Sequence, residues 1–186
     1  MKNLYIFDCF NVIVEEIAPR FFGKYFSPDE AKVRKEQYFH DIDLGKMTLD
    51  EFYSNIEKDF GIPATNAKEY WTKTPSLNRE ILPILKKLRE KGDVVLLSNA
   101  PKGYVESLFQ ELGISSYFKK IYTSSSLDMA KPDPRVYEYV ISDLHEVYEN
   151  VFMIDDNPKN LEPLPSLGIK GILFQGNNSL LPLFLL

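Results

Sequence analysis

Three short apolar runs in this chain each end on polar residues of the kind that carry chemistry. L-Y-I-F delivers Asp8, V-V-L-L delivers Ser98 and Asn99, and V-F-M-I delivers Asp155 and Asp156, while a fourth run, I-Y-T, precedes a loop carrying Lys131. Uninterrupted apolar runs of this length suit strands buried on both faces. In an open parallel α/β sheet the carboxyl ends of the strands line one crevice, so these residues would converge there despite their separation in sequence. The pattern predicts an α/β fold, a doubly wound Rossmann-like parallel sheet, with an enzyme's site at its strand ends.

After the first strand, expected at about Leu4 to Phe7, the rhythm changes. From Glu15 to about Ser76 the chain is helical in character and rich in aromatics. Ser27-Pro28-Asp29-Glu30 is a helix start: a serine cap, proline in the first position and glutamate three residues after the cap. Thr48 and Glu51 repeat the box, and Gly61 supplies a stop after Phe52, Tyr53, Ile56 and Phe60 at helical spacing. Residues 15–76 are expected to form a helical cap inserted into a core made of 1–14 and 77–186. The α/β rhythm resumes with a helix over Arg79 to Lys91, Pro83 near its first turn, Gly92 as terminator, and a strand from Val94 to Leu97. Tyr104, Val105, Leu108, Phe109 and Leu112 mark a further helix ended by Gly113. Asp133-Pro134 and Asn157-Pro158 each open another, the second kept short by Pro163 and Pro165, and Gly171 to Phe174 is expected as a fifth strand.

A net charge of 22 − 27 = −5 with no block of Lys or Arg argues against nucleic acid as a partner. Cys9 is the single cysteine, which excludes an intrachain disulfide and a multi-cysteine metal site. It is expected to pack beside strand one. The first apolar stretch is broken by Asp8 and lacks a secretory signal, so a cytoplasmic location is expected. The terminal L-L-P-L-F-L-L is too short to span a bilayer. It is expected to pack on the body or on a second copy, in a monomer or homodimer with no membrane partner.

L-Y-I-F-D-C-F-N-V, V-V-L-L-S-N, A-K-P-D-P and V-F-M-I-D-D-N-P-K-N follow one another in order. Together they resemble the four motifs of the haloacid dehalogenase (HAD) superfamily, over essentially the whole chain. I-F-D-x-x-N-V-I-V with the later D-D-N-x-x-N is most similar to the branch containing glucose-1-phosphate phosphatases. The resemblance implies Mg²⁺-dependent hydrolysis of a small phosphorylated metabolite, such as a sugar phosphate, through an aspartyl-phosphate. Carried over by position, Asp8 is nucleophile and metal ligand, the Phe10 carbonyl is a ligand, and Asp156 is the main distal carboxylate. Asp155 is a second ligand or stands just outside the ion's own ligands. Ser98, with the Asn99 backbone N–H, binds the phosphoryl group, Lys131 neutralises it and holds Asp8, and Asn160 supports the metal ligands from one turn beyond Asp156. The chemistry of the residues agrees. Three carboxylates in one crevice with Lys131 as the evident cation would take protons back unless a divalent ion intervened, and Mg²⁺ prefers such oxygen ligands. Singly, each residue has an ordinary explanation as a turn, a helix start or a surface lysine.

The chain departs from the superfamily at Phe10. Phosphatases there usually place a second Asp, which protonates the leaving alcohol and then activates water, work worth about 10²–10⁴-fold. The glucose-1-phosphate branch is similar in lacking it, typically with glycine. Two alternatives stay open: a catalytically weak HAD-like fold used for binding or regulation, and a metal-independent 2-haloacid dehalogenase, a class that has an aromatic tyrosine at that position. His40, Asp41 and Asp43, expected between two cap helices, are candidates to replace the missing acid, against the plainer expectation of a solvated turn. Arg20 is a candidate substrate contact or a surface ion pair. Phe21, Phe22, Tyr25, Tyr38, Phe52, Tyr70 and Trp71 are expected to form the cap's own core, with one member free to stack on a substrate.

Overall fold

The computed structural model describes residues 2–73 and 76–184. β1 (Lys2–Phe7) is followed by four helices, α1 (Ile17–Phe22), α2 (Pro28–Asp43), α3 (Leu49–Phe60) and α4 (Ala64–Lys73). The alternation then runs α5 (Leu82–Lys91), β2 (Gly92–Ser98), α6 (Tyr104–Glu111), β3 (Lys120–Thr123) and α7 (Ser124–Leu127). It ends with α8 (Pro134–Asp143), β4 (Tyr148–Asp155), α9 (Pro158–Leu161) and β5 (Lys170–Leu173). The strands form one sheet in the order β3-β2-β1-β4-β5, with every pairing parallel. β1 is central, which explains its unbroken apolar run. Tyr5 and Phe7 face one layer with Leu85 and Phe109, and Leu4 and Ile6 face the other with Val136 and Tyr137. The chain winds outward from β1 to β3 and then returns to β4 on the opposite side, so the crevice opens at the carboxyl ends of β1 and β4.

The four inserted helices leave and rejoin the core through a short antiparallel crossing. Glu15 donates its N–H to the Ser76 carbonyl at 2.9 Å and Asn78 to that of Ile13 at 2.9 Å. The expected caps form: the Glu30 carboxylate accepts from the Ser27 N–H at 3.1 Å and from its hydroxyl at 2.6 Å. Glu51 does the same for Thr48, at 2.8 Å for each. No one of these helices can bury its apolar face alone, so they close on an aromatic cluster of their own. Trp71 sits edge-on to Phe21 at 4.9 Å and to Phe52 at 5.1 Å, while Tyr25 stays exposed.

Several boundaries differ from expectation, each for a local reason. α2 continues through Asp43, so His40 and Asp41 lie in its last turns and Asp43 is its final residue. Arg79–Ile81 forms a 3-10 turn and α5 proper starts at Leu82, with Pro83 inside its first turn. β5 is shifted one residue, to Lys170–Leu173. Gly92 terminates α5 by donating to the Leu88 carbonyl, yet it also opens β2 in register with Asn3. A Cβ at Gly92 would lie 2.0 Å from the Asn3 carbonyl oxygen, so only glycine lets the helix turn directly into the strand. Gly92→Ala is therefore expected to cost about 2–3 kcal/mol, read as a lowered denaturation midpoint with an unchanged slope. Cys9 is buried in the core beside β1, as expected. Of the C-terminal leucines, Leu180 and Leu183 are buried against the body, and Leu185 and Leu186 fall outside the described residues. No helix among the described residues is long and apolar enough to cross a membrane.

Candidate active site

β1 and β4 end side by side, Phe7 opposite Ile154, and the Asp8 N–H continues the ladder to the Ile154 carbonyl at 2.9 Å. This register sets Asp8 beside Asp155. The Lys131 ammonium bridges them, at 2.6 Å from Asp8 Oδ1 and 2.7 Å from Asp155 Oδ2. Lys131 is only 4% exposed and is, among the described residues, the one buried cation. A buried ammonium is costly unless paired, and here two carboxylates hold it charged: burial works to lower its pKa, but Asp8 and Asp155 together raise it. Burial pushes the Asp8 carboxyl upward from the ordinary carboxylate range, and Lys131 opposes that while Asp155 adds to it.

Each of these groups is fixed from behind. Asn99 clamps the main chain of Lys131, its amide donating to the Lys131 carbonyl and accepting from the Lys131 N–H, both at 2.9 Å. Asn160 donates to both oxygens of Asp155, at 3.1 and 3.0 Å, and its own carbonyl accepts from the buried Tyr137 hydroxyl at 2.7 Å. Asn160 thus supports Asp155 rather than Asp156. With the Asn157 N–H at 2.9 Å as well, Asp155 has both oxygens engaged. Asp156 is half-buried and has one oxygen taken by the Asn11 amide at 2.9 Å.

Asn11 received no role from the sequence, although the signal was present. It adopts φ +58°, a left-handed conformation that Asn tolerates better than most residues. There its side chain reaches Asp156 and accepts from the Glu16 N–H at 3.1 Å. Between Asp8 and Asn11, the Phe10 carbonyl accepts no hydrogen bond among the described residues. Ser98 is fully buried, and its hydroxyl makes no hydrogen bond of good geometry among the described residues. The Cys9 thiol beside it is pushed well up by burial and by Asp8, with Lys131 opposing.

One carboxylate oxygen from each of Asp8, Asp155 and Asp156 lies within 4.8 Å of the other two. An all-oxygen set with excess negative charge is the donor chemistry a hard divalent cation prefers, so these residues fit Mg²⁺. With Asp155 buried behind them, Asp8 and Asp156 line a cavity of about 510 Å³ between the strand ends and the inserted helices. Its far wall carries Lys35, Phe39 and Asp43 of α2 together with Trp71 and Tyr104. Of the three acid candidates, only Asp43 lines this cavity. His40 is exposed, and Arg20 pairs with Glu15 at 2.9 Å.

Comparison with known proteins places this geometry in context. D-ribitol-5-phosphate phosphatase of Bacteroides thetaiotaomicron is 28% identical over 196 residues, spanning 96% of this chain and 93% of that protein. Drimenol cyclase drtB of Aspergillus calidoustus is 27% identical over 141 residues, which is 72% of this chain but only 27% of that much longer protein. A crystal structure of a HAD family enzyme of Bacteroides thetaiotaomicron, complexed with magnesium and inorganic phosphate, superposes with a TM-score of 0.78 at 27% identity and 99% coverage of both chains. With residues 2–168 matching the model of the haloacid dehalogenase-like hydrolases, the chain belongs to that family.

Proposed function

We propose that this hydrolase cleaves a small phosphomonoester, with a sugar or polyol phosphate as the leading class, through a phosphorylated Asp8 and with Mg²⁺ as cofactor. The observation that carries it is the Asp8–Lys131–Asp155 arrangement with Asp156 alongside, opening on a cavity sized for a metabolite. Similarity to a polyol-phosphate phosphatase and to a structure holding magnesium and phosphate supports the same chemistry. The proposed division is a core of 1–14 and 77–186 with a cap of 15–76, the substrate lying between them.

In this mechanism Asp8 attacks phosphorus, forming a carboxylate oxygen–phosphorus bond as the ester oxygen departs. Water then displaces Asp8 and releases phosphate. Lys131 keeps Asp8 ionised and aimed, and its remaining N–H capacity can meet the phosphoryl oxygens, since positioning and electrostatics dominate such transfers. Ser98 is suited to donate to the same group, because a buried hydroxyl lacking a partner is costly and a phosphoryl oxygen would satisfy it. Asn99 keeps the Lys131 loop in register. Asp8, the Phe10 carbonyl and Asp156 would hold Mg²⁺, with Asp155 close by as the anchor of Lys131. When bound, the ion supplies charge neutralisation for the crowded carboxylates and the incoming phosphate.

A screen of phosphorylated metabolites with Mg²⁺ or excess chelator tests this. Turnover is expected only with Mg²⁺, and calorimetric titration with Mg²⁺ alone should show one site that Asp156→Asn weakens by about 10-fold or more. Full activity in chelator would sink the metal assignment and return the 2-haloacid dehalogenase. Metal binding without turnover of any ester would favour a binding or regulatory protein.

A further inference from the structure

Phe10 cannot move a proton, and the inserted helices bring a group that can to the same cavity. Asp43 ends α2 and lines the cavity together with Asp8, Phe10 and Lys131. It is tied to the core rather than only to its own helix. The Ser124 hydroxyl donates to the Asp43 carbonyl and accepts from the Ala100 N–H at 3.0 Å, linking the end of α2 to the chain leaving β2 and β3. Two residues on, Gly45 lies so near Ser125 that a Cβ there would sit 3.3 Å from the Ser125 Cβ. The position is therefore set by the strand-end loops that also hold Lys131, as a group needing tight placement requires.

The charged and titratable groups around Asp43 come from both sides of the cavity. Lys35 and His40 share α2, Glu16 precedes α1, and Lys131 and Asp133 belong to the loop between α7 and α8. Asp8, Tyr104, Asp156 and Lys159 line the same cavity from the strand ends and the helices that follow them. Lys35 is already paired with Glu16 at 2.5 Å. The Asp43 carboxylate makes no hydrogen bond or ion pair among the described residues, which leaves it available to a substrate oxygen or a water.

We propose that Asp43 is the proton-transfer group of this enzyme, doing from the helical side the work that Phe10 cannot do. The proposal rests on the phosphatase reading given above. In the first step Asp43, protonated, gives its proton to the ester oxygen as the phosphorus–oxygen bond breaks and the bond to Asp8 forms. In the second, the Asp43 carboxylate takes a proton from water as the water oxygen bonds to phosphorus. Asp8 leaves as a carboxylate, phosphate departs, and Asp43 is protonated again. Its acidity suits both steps: burial raises the carboxyl to about 7, Lys35 opposes this, Glu16 adds to it, and Lys131 opposes it. A group poised near neutrality serves as acid and base in turn.

The test compares wild type, Asp43→Asn and Asp43→Glu in Mg²⁺ on p-nitrophenyl phosphate and on the best alkyl phosphate from the metabolite screen. An alkoxide must be protonated to leave and p-nitrophenolate need not be, while kcat/KM reports only steps through phosphorylation of Asp8. Asp43→Asn should lower kcat/KM for the alkyl ester by about 10²-fold or more, and for the aryl ester by less than about 10-fold. Because the acid must be protonated, the wild-type alkyl kcat/KM should fall as pH rises through about 7, and that fall should vanish in the asparagine variant. Asp43→Glu should restore part of the loss and the pH limb. Equal losses on both esters, an unchanged pH profile, or no loss overturns the role of Asp43 while leaving the phosphatase intact. A wild type inert toward both esters overturns the phosphatase and this role with it.

Discussion

Lys131→Met is expected to remove most of the activity and a large share of the stability together. Its ammonium sits between two buried carboxylates at 2.6 and 2.7 Å, so methionine leaves Asp8 and Asp155 facing each other with no intervening charge. Breaking a buried pair from one side typically costs about 3–5 kcal/mol, which chemical denaturation in the presence of chelator would read. The pH dependence has a definite sign. Without the ammonium, burial and the neighbouring Asp155 act on Asp8 unopposed, which raises its folded pKa still further above that of the unfolded chain. The variant should therefore be closest to wild type in acid, and lose ground as pH rises through about 7, where the wild-type Asp8 ionises. Loss of one preorganised charge at a transferring phosphoryl group should lower kcat/KM by about 10²–10³-fold. Lys131→Arg should recover little, because a planar fork cannot occupy the place of a compact ammonium held by two oxygens. Near-normal kinetics in either variant would place Lys131 outside the reaction.

The clasp of Asp8, Lys131 and Asp155 was legible in the sequence because strand ends are strongly marked. An apolar run buried on both faces must stop where the sheet stops, and in a parallel sheet every such stop falls on the same edge. The fourth and fifth strands, the capping boxes at Ser27 and Thr48, and the short helix after Asn157 were legible for similarly local reasons. What escaped depended on helical phase and close approach. Lys35, Phe39 and Asp43 follow one another at intervals of four on α2 and share one wall of the cavity, but that stripe appears only if the helix is carried to its true end. Gly45, at φ +70°, is the stop that marks it; ending α2 earlier made His40, Asp41 and Asp43 look like equivalent loop residues. Asn160 was legible as a support for the paired carboxylates, but which of the two it holds was not: the turn at Asn157 brings its amide onto Asp155. Gly92 looked like a helix terminator alone, because its second constraint is set by Asn3, which is distant in sequence.

Asp8→Asn should be more severe for turnover than any other substitution here and nearly silent for the fold. Asparagine keeps the volume and one oxygen, and its amide nitrogen has no nucleophilic lone pair to offer phosphorus. Losing a covalent nucleophile outright is expected to reduce kcat by at least about 10⁴-fold, leaving the residual rate that binding and charge alone provide. The fold should survive because Lys131 keeps Asp155, and Asp155 keeps Asn160 and the Asn157 N–H. The backbone bond from residue 8 to Ile154 does not involve the side chain. Two readouts separate this from simple damage. Thermal unfolding should stay within a few degrees of wild type. Rapid-quench mass spectrometry with p-nitrophenyl phosphate should detect one phosphoryl group on the wild-type peptide containing Asp8 and none on the variant. Undiminished turnover in Asp8→Asn would rule out attack by Asp8, whatever the metal does. A phosphorylated wild type whose intermediate builds up faster than it decays would show the second step to be the slow one, the step in which water must be deprotonated and Phe10 offers no help.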